Sequence, residues 1–150
     1  MDLNEKKSAD FFAEGFNCAQ SVLTSHAAQF GLEPETALKV SAAFGAGMGR
    51  KGEVCGAVTG ALMAIGLASG PTSASDKEAK ERTYQLAHRL LDKFTQKNGS
   101  ILCRELLGCQ MDNAEELARA RQQGLFTTIC PRLVVEASEI LDKLLNENLS

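Results

Sequence analysis

From Val54 to Ser75 the chain carries no charged residue, and a run of that kind belongs either in a bilayer or in the middle of a globular core. Gly56, Gly60, Gly66 and Gly70 interrupt the run, and Pro71, Thr72, Ser73 and Ser75 end it. Its apolar part is only about 15 residues long, short of the roughly 20 that a membrane span needs. The stretch predicts a buried central helix with the rest of the chain packed around it, and no membrane insertion. Gly56, Gly60 and Ala64 recur every four residues and share one helix face. A face without large side chains lets another helix approach closely and brings that helix's residues near Cys55.

The remaining apolar residues follow a helical period nearly everywhere, and no segment alternates as a strand would. The sequence predicts an all-α, single-domain bundle spanning residues 1–150, with about six to eight helices around the Gly/Ala-rich one. The first helix is expected over Asn4–Phe16. The second begins at Asn17, where Asn17 and Gln20 form a capping-box pattern, and ends before Gly31. Pro34 opens the third. Further helices are expected over Val54–Leu67, Asp76–Lys97, Ile101–Leu107, Asn113–Gln123 and Pro131–Leu145. A composition of 44% hydrophobic and 23% charged residues with a formal net charge of -3 is that of a globular chain without a basic footprint for nucleic acid. The charged N-terminal stretch MDLNEKKSADFF has no apolar core of a secretory signal, so the expected location is cytoplasmic.

Between the third and fourth helices, Gly47-Met48-Gly49-Arg50-Lys51-Gly52 matches G-x-G-x-x-G. That pattern marks a phosphate loop only when a strand enters it within a βαβ unit. Here a helix leads in and another leads out, so the glycines are read as a tight turn. Arg50 and Lys51 are expected either at a solvated loop tip or as an electropositive setting for Cys55.

Five cysteines stand at positions 18, 55, 103, 109 and 130. Four of them fall within the first turn of an expected helix: Cys18 after the Asn17 cap, Cys55 after Gly52, Cys103 after Ser100, and Cys130 just before Pro131. Free backbone amides and the positive end of the helix dipole favour thiolate there. Cys109 follows Gly108 at a helix end, where the dipole disfavours an anion. The two histidines, His26 and His88, have no ligand-like spacing and read as surface or hydrogen-bonded residues.

Around these cysteines, "CGAVTG" at Cys55, "GFNCAQSVL" at Cys18, "CRELLG" at Cys103 and "CPRLV" at Cys130 resemble the redox-active protein family named for the pattern C_GCAxxG_C_C. The likeness runs from about Asp10 to Leu145. It implies an all-helical fold in which Cys18, Cys55, Cys103 and Cys130 are the functional set and Cys109 is additional. It implies redox or metal chemistry without naming a substrate.

The spacing leaves three readings open. No C-x-x-C of thioredoxin type is present, and the four cysteines, separated by 37, 48 and 27 positions, lack the paired spacing of a zinc knuckle. What is left is a cluster assembled by folding, which could cycle between dithiol and disulfide. It could instead hold zinc or an iron–sulfur cluster through Cys18, Cys55, Cys103 and Cys130, or serve as a structural or partner-binding module. The expected partner is a redox protein or a small-molecule oxidant or reductant. Self-association as a homodimer through the small-residue helix or the last helix is a further expectation.

Overall fold

In the computed structural model, which describes residues 6–149, the chain is all-α, as expected. Eight helices are present among the described residues: α1 (Ser8–Ala13), α2 (Cys18–Ala27), α3 (Pro34–Ser41), α4 (Gly56–Ser69), α5 (Lys77–Asn98), α6 (Cys103–Leu107), α7 (Ala114–Gln122) and α8 (Leu125–Leu149). None of them is long and apolar enough to cross a membrane. The uncharged run becomes α4, whose Ala57, Val58, Ala61, Ala64 and Ile65 are fully buried, with α2, α5 and α8 packed around it. Its apolar partners include Val22 and Leu23 from α2, Leu90 and Phe94 from α5, and Leu141 and Leu144 from α8. Burying each such large side chain stabilises the fold by roughly 1.5–3 kcal/mol before entropy is counted.

The small-residue face of α4 decides how closely α2 can lie. A Cβ on Gly60 would sit 2.7 Å from the Ala19 carbonyl oxygen, and one on Gly56 would sit 2.8 Å from the Ala19 nitrogen and 3.1 Å from Cys18 Cβ. The two helices therefore touch backbone to backbone. The start of α2 is fixed by the expected capping box: Asn17 Oδ1 accepts from the Gln20 amide at 2.9 Å, and Gln20 Oε1 accepts from the Asn17 amide at 3.0 Å. The same side chains tie α2 to its neighbour, Asn17 Nδ2 donating to the Ala42 carbonyl and Gln20 Nε2 to the Leu38 carbonyl, both at 3.0 Å.

Several boundaries shift by a residue or two, and three features depart further from expectation. Helix α1 ends at Ala13 instead of Phe16, because Gly15 turns the chain with φ 109° and Phe16 folds back so that its ring centroid lies 6.1 Å from that of Phe11. The expected start at Asn4 lies outside the described residues. The last helix begins at Leu125, not Pro131, and carries Pro131 in its interior. The break comes about two turns earlier, at Gly124 (φ 71°), whose carbonyl accepts from the Thr127 and Thr128 amides at 3.2 and 3.1 Å. Proline at position 131 removes one internal donor and crowds the Thr127 carbonyl, but the packing of Leu133, Val134, Ala137, Leu141 and Leu144 carries the helix through. Finally, one extended contact interrupts the helical pattern, an antiparallel bridge between Val54 and Leu102.

The glycine turn is more unusual than a simple reversal. Ala46, Gly47, Met48, Gly49 and Arg50 all have left-handed φ values, of 54°, 70°, 67°, 60° and 68°. Five consecutive residues thus form a left-handed turn, closed by the Gly52 amide on the Ala46 carbonyl (3.3 Å) and the Glu53 amide on the Gly47 carbonyl (2.9 Å). Each L-residue with a Cβ in this conformation costs roughly 1–2 kcal/mol.

Candidate functional site

The structure brings Cys18, Cys55, Cys103 and Cys130 to one place. All four line a cavity of about 150 Å³. Cys18 is the first residue of α2, Cys55 is the N-cap of α4 and Cys103 is the first residue of α6. Cys130 departs from the expected helix start: it lies in the interior of α8, on the turn before Pro131, because α8 begins five residues ahead of it. Three cysteines therefore sit at helix N-termini and the fourth does not.

Local geometry explains each approach. The glycine contact between α2 and α4 sets Cys18 against the start of α4. The bridge between Val54 and Leu102 joins the other two: the Cys55 amide donates to the Ile101 carbonyl and the Cys103 amide to the Glu53 carbonyl, both at 2.7 Å. Side chains alternate along extended backbone, so Cys55 and Cys103, each one residue past the bridged pair, turn to the same face. Arg104 clamps the bridge from outside, with a nitrogen 3.3 Å from the Gly52 carbonyl and from Glu53 Oε2. The left-handed turn completes the wall, since Gly47 lies where a Cβ would be 2.8 Å from Cys103 Cβ.

The four thiols are electrostatically unequal. Cys18 is half-buried, while Cys55, Cys103 and Cys130 are buried. The Cys18 thiol is held well above its ordinary pKa because its S–H donates to Cys130 and to Cys55, and burial adds to the effect. Cys55 is lowered, first by that Cys18 donor and then by the amides of Ala57 and Val58 at the open start of α4, against the opposing cost of burial. Cys130 is likewise lowered by Cys18 against burial and the nearby charge of Cys55. Cys103 is pushed up to about 12, by burial first and then by the charges of Cys55, Cys130 and Cys109. A thiol has a single proton to donate. Cys55 and Cys130 thus compete for the one S–H of Cys18, and the site favours one thiolate at a time.

Arg50 and Lys51 take no part in this. Both are exposed on the turn, and neither is among the groups that shift Cys55. Of the two expected settings for these cations, the solvated loop tip is the one observed. Cys109 does not line the cavity. It is buried behind it in a cluster with Cys103, Leu107 and Met111, and burial raises its thiol pKa. His26 is a buried, hydrogen-bonded histidine that ties α2 to α8, with Nε2 2.8 Å from Asp142 Oδ1 and Nδ1 2.8 Å from the Val22 carbonyl. His88 is exposed.

As for metal, four thiols around one cavity are the donor chemistry of a zinc or iron–sulfur site. Among the described residues, no group of three or more Cys, His, Asp or Glu side chains is arranged to hold one ion.

A helical domain that gathers thiols from four distant segments around one cavity is, by fold and site together, a cysteine-centred all-α protein. The family model described as "Putative redox-active protein (C_GCAxxG_C_C)" matches residues 16–144, and the chain belongs to that family. No curated protein and no solved structure matches it significantly.

Proposed function

We propose that the protein carries out thiol–disulfide redox chemistry, with Cys18 as the shared partner of Cys55 and Cys130. The observation that carries this reading is that Cys18, Cys55 and Cys130 line one cavity, and the directions of their pKa shifts, Cys18 raised by the other two and each of them lowered by Cys18, support it. A disulfide forms when a thiolate attacks a sulfur that has been made electrophilic, and a second sulfur within reach then resolves the intermediate. Cys55 supplies the thiolate, Cys18 the resolving sulfur and a proton. A Cys18–Cys55 bridge and a Cys18–Cys130 bridge exclude each other, since both need the same sulfur. Cys103, held protonated, contributes to the wall and does not initiate the reaction.

The test is disulfide mapping. Anaerobically reduced protein is treated with one equivalent of a mild oxidant, its free thiols are counted, and its peptides are examined by mass spectrometry. Two thiols are expected to disappear into a bridge that contains Cys18, and Cys18→Ser is expected to abolish that bridge. A bridge that omits Cys18, or stoichiometric iron or zinc in the anaerobic protein, would overturn the proposal.

A further inference from the structure

The cavity beside the thiols also constrains what they react with. Besides the four cysteines its wall is built from Phe12, Leu106, Leu107, Met111, Phe126 and Leu133, together with Ala46 and the glycines Gly47 and Gly56. Among the described residues, no Arg, Lys, His, Asp or Glu lines it. The one amide side chain in the wall, Asn17, is committed to the Gln20 amide and the Ala42 carbonyl. A charged substrate would lose its hydration here without a counter-charge. An apolar cavity of about 150 Å³ holds a molecule about the size of benzene. Peptides, glutathione and intact nicotinamide or flavin cofactors are far larger.

We propose that this cavity is the substrate site and that it takes the ring of a neutral, apolar two-electron acceptor of the quinone class. The inference rests on the dithiol reading above. Other small neutral oxidants suit the wall less well. Cleaving a hydroperoxide releases an alkoxide or hydroxide that needs a strong donor beside it. Among the described residues the space is faced by no cation and, beyond the committed Asn17, only by the S–H groups of Cys18 and Cys103, which are weak donors. A quinone spreads the incoming charge over its ring, and Phe12, Phe126 and Met111 offer the aromatic and thioether surface that such a ring packs against. In the reaction the Cys55 thiolate adds to the ring, Cys18 sulfur attacks Cys55 sulfur, and the carbon–sulfur bond breaks with its electron pair left on the ring. One proton comes from Cys18 and one from solvent. The thiolate, the thiol, the quinone and that solvent proton become one disulfide and one hydroquinone.

The test uses the reduced full chain under anaerobic conditions with one equivalent of methyl-1,4-benzoquinone, a ring close to benzene in size, and a lasting protein–quinone adduct in the intact mass counts against the assignment. One hydroquinone per protein should form together with an intact-mass loss of two hydrogens. The rate should saturate with quinone concentration, and toluene, which fits the same space and accepts no electrons, should compete. A quinone bearing an anionic sulfonate should react at least about tenfold more slowly, relative to its rate with free cysteine, because the wall cannot solvate the charge. If the rate rises linearly, ignores toluene and is indifferent to the sulfonate, the quinone assignment falls while any Cys18 disulfide formed keeps the dithiol reading. If neither quinone nor hydrogen peroxide yields a disulfide containing Cys18, both fall.

Discussion

Replacing glycine by alanine at two positions of α4 should move stability in opposite directions. Alanine is favoured over glycine in a helix interior by about 1 kcal/mol, so wherever space is free the substitution stabilises. Gly66 meets that condition, since nothing lies within 4 Å of a Cβ built there. At Gly60 the new methyl would stand 2.7 Å from the Ala19 carbonyl oxygen and 3.2 Å from both Ala19 Cα and Val22 Cβ. Ordinary contact needs about 3.5 Å or more, so α2 must retreat by roughly 0.5–1 Å, forfeiting a quarter to a half of the dispersion energy along the α2–α4 seam. Overpacking against backbone costs about 2–3 kcal/mol, which outweighs the propensity gain and leaves a net loss of about 1–2 kcal/mol. For a domain of this size each kcal/mol shifts Tm by roughly 2–4 °C. Thermal unfolding of reduced protein should show Gly66→Ala raised by about 2–4 °C and Gly60→Ala lowered by about 2–8 °C. Shifts of the same sign in both variants would refute the argument that the α2–α4 contact is backbone against backbone.

Other perturbations act on the thiols and on α8. Cys18→Ala removes the donor that lowers Cys55, so the Cys55 thiol pKa should rise, and its alkylation near pH 8, followed by mass spectrometry, should slow severalfold. Cys103 is raised to about 12 in the folded chain against about 8.5 when unfolded. The folded state thus holds a proton that the unfolded state releases, and stability present below the ordinary thiol range should decline as pH rises through it toward 12. Melting curves between pH 7.5 and 10.5 should show a shallower decline in Cys103→Ala. Pro131→Ala restores an amide donor to the Thr127 carbonyl within α8; it should raise Tm by a few degrees, since interior proline costs up to about 3 kcal/mol, and should change the yield of the Cys18–Cys130 bridge relative to Cys18–Cys55 by redirecting the turn that holds Cys130.

Much of the fold was legible in the sequence because its signals are local. The capping box at Asn17 and Gln20 needs only four residues, and the small face of Gly56, Gly60 and Ala64 needs only the helical period. That face predicts a closely packed partner helix, but which helix, and so which cysteine meets Cys55, is settled only by the contact of Gly56 and Gly60 with Ala19. The features that the sequence misleads on or leaves open depend on distant partners or on weak preferences. Pro131 resembled a helix start because proline is best tolerated there, yet tertiary packing of α8 overrode it. Arg50 and Lys51 are close to Cys55 in number only, since the turn aims them at solvent. The pairing of Val54 with Leu102 joins segments with no shared local signal. The unequal roles of the four sulfurs arise from which S–H meets which neighbour, and spacing along the chain cannot encode that.

The turn at Ala46–Arg50 also bears on chirality. Its three non-glycine residues occupy a conformation natural to their mirror images, and Ala46 forms part of the cavity wall. Glycine at 46 would relieve the strain but loosen the wall, whereas D-alanine, introduced by chemical ligation, would relieve it and keep the wall stiff. Comparing the two substitutions separates the cost of handedness from the benefit of rigidity. The wild-type residue bears that cost on the surface against which the thiols' substrate would rest.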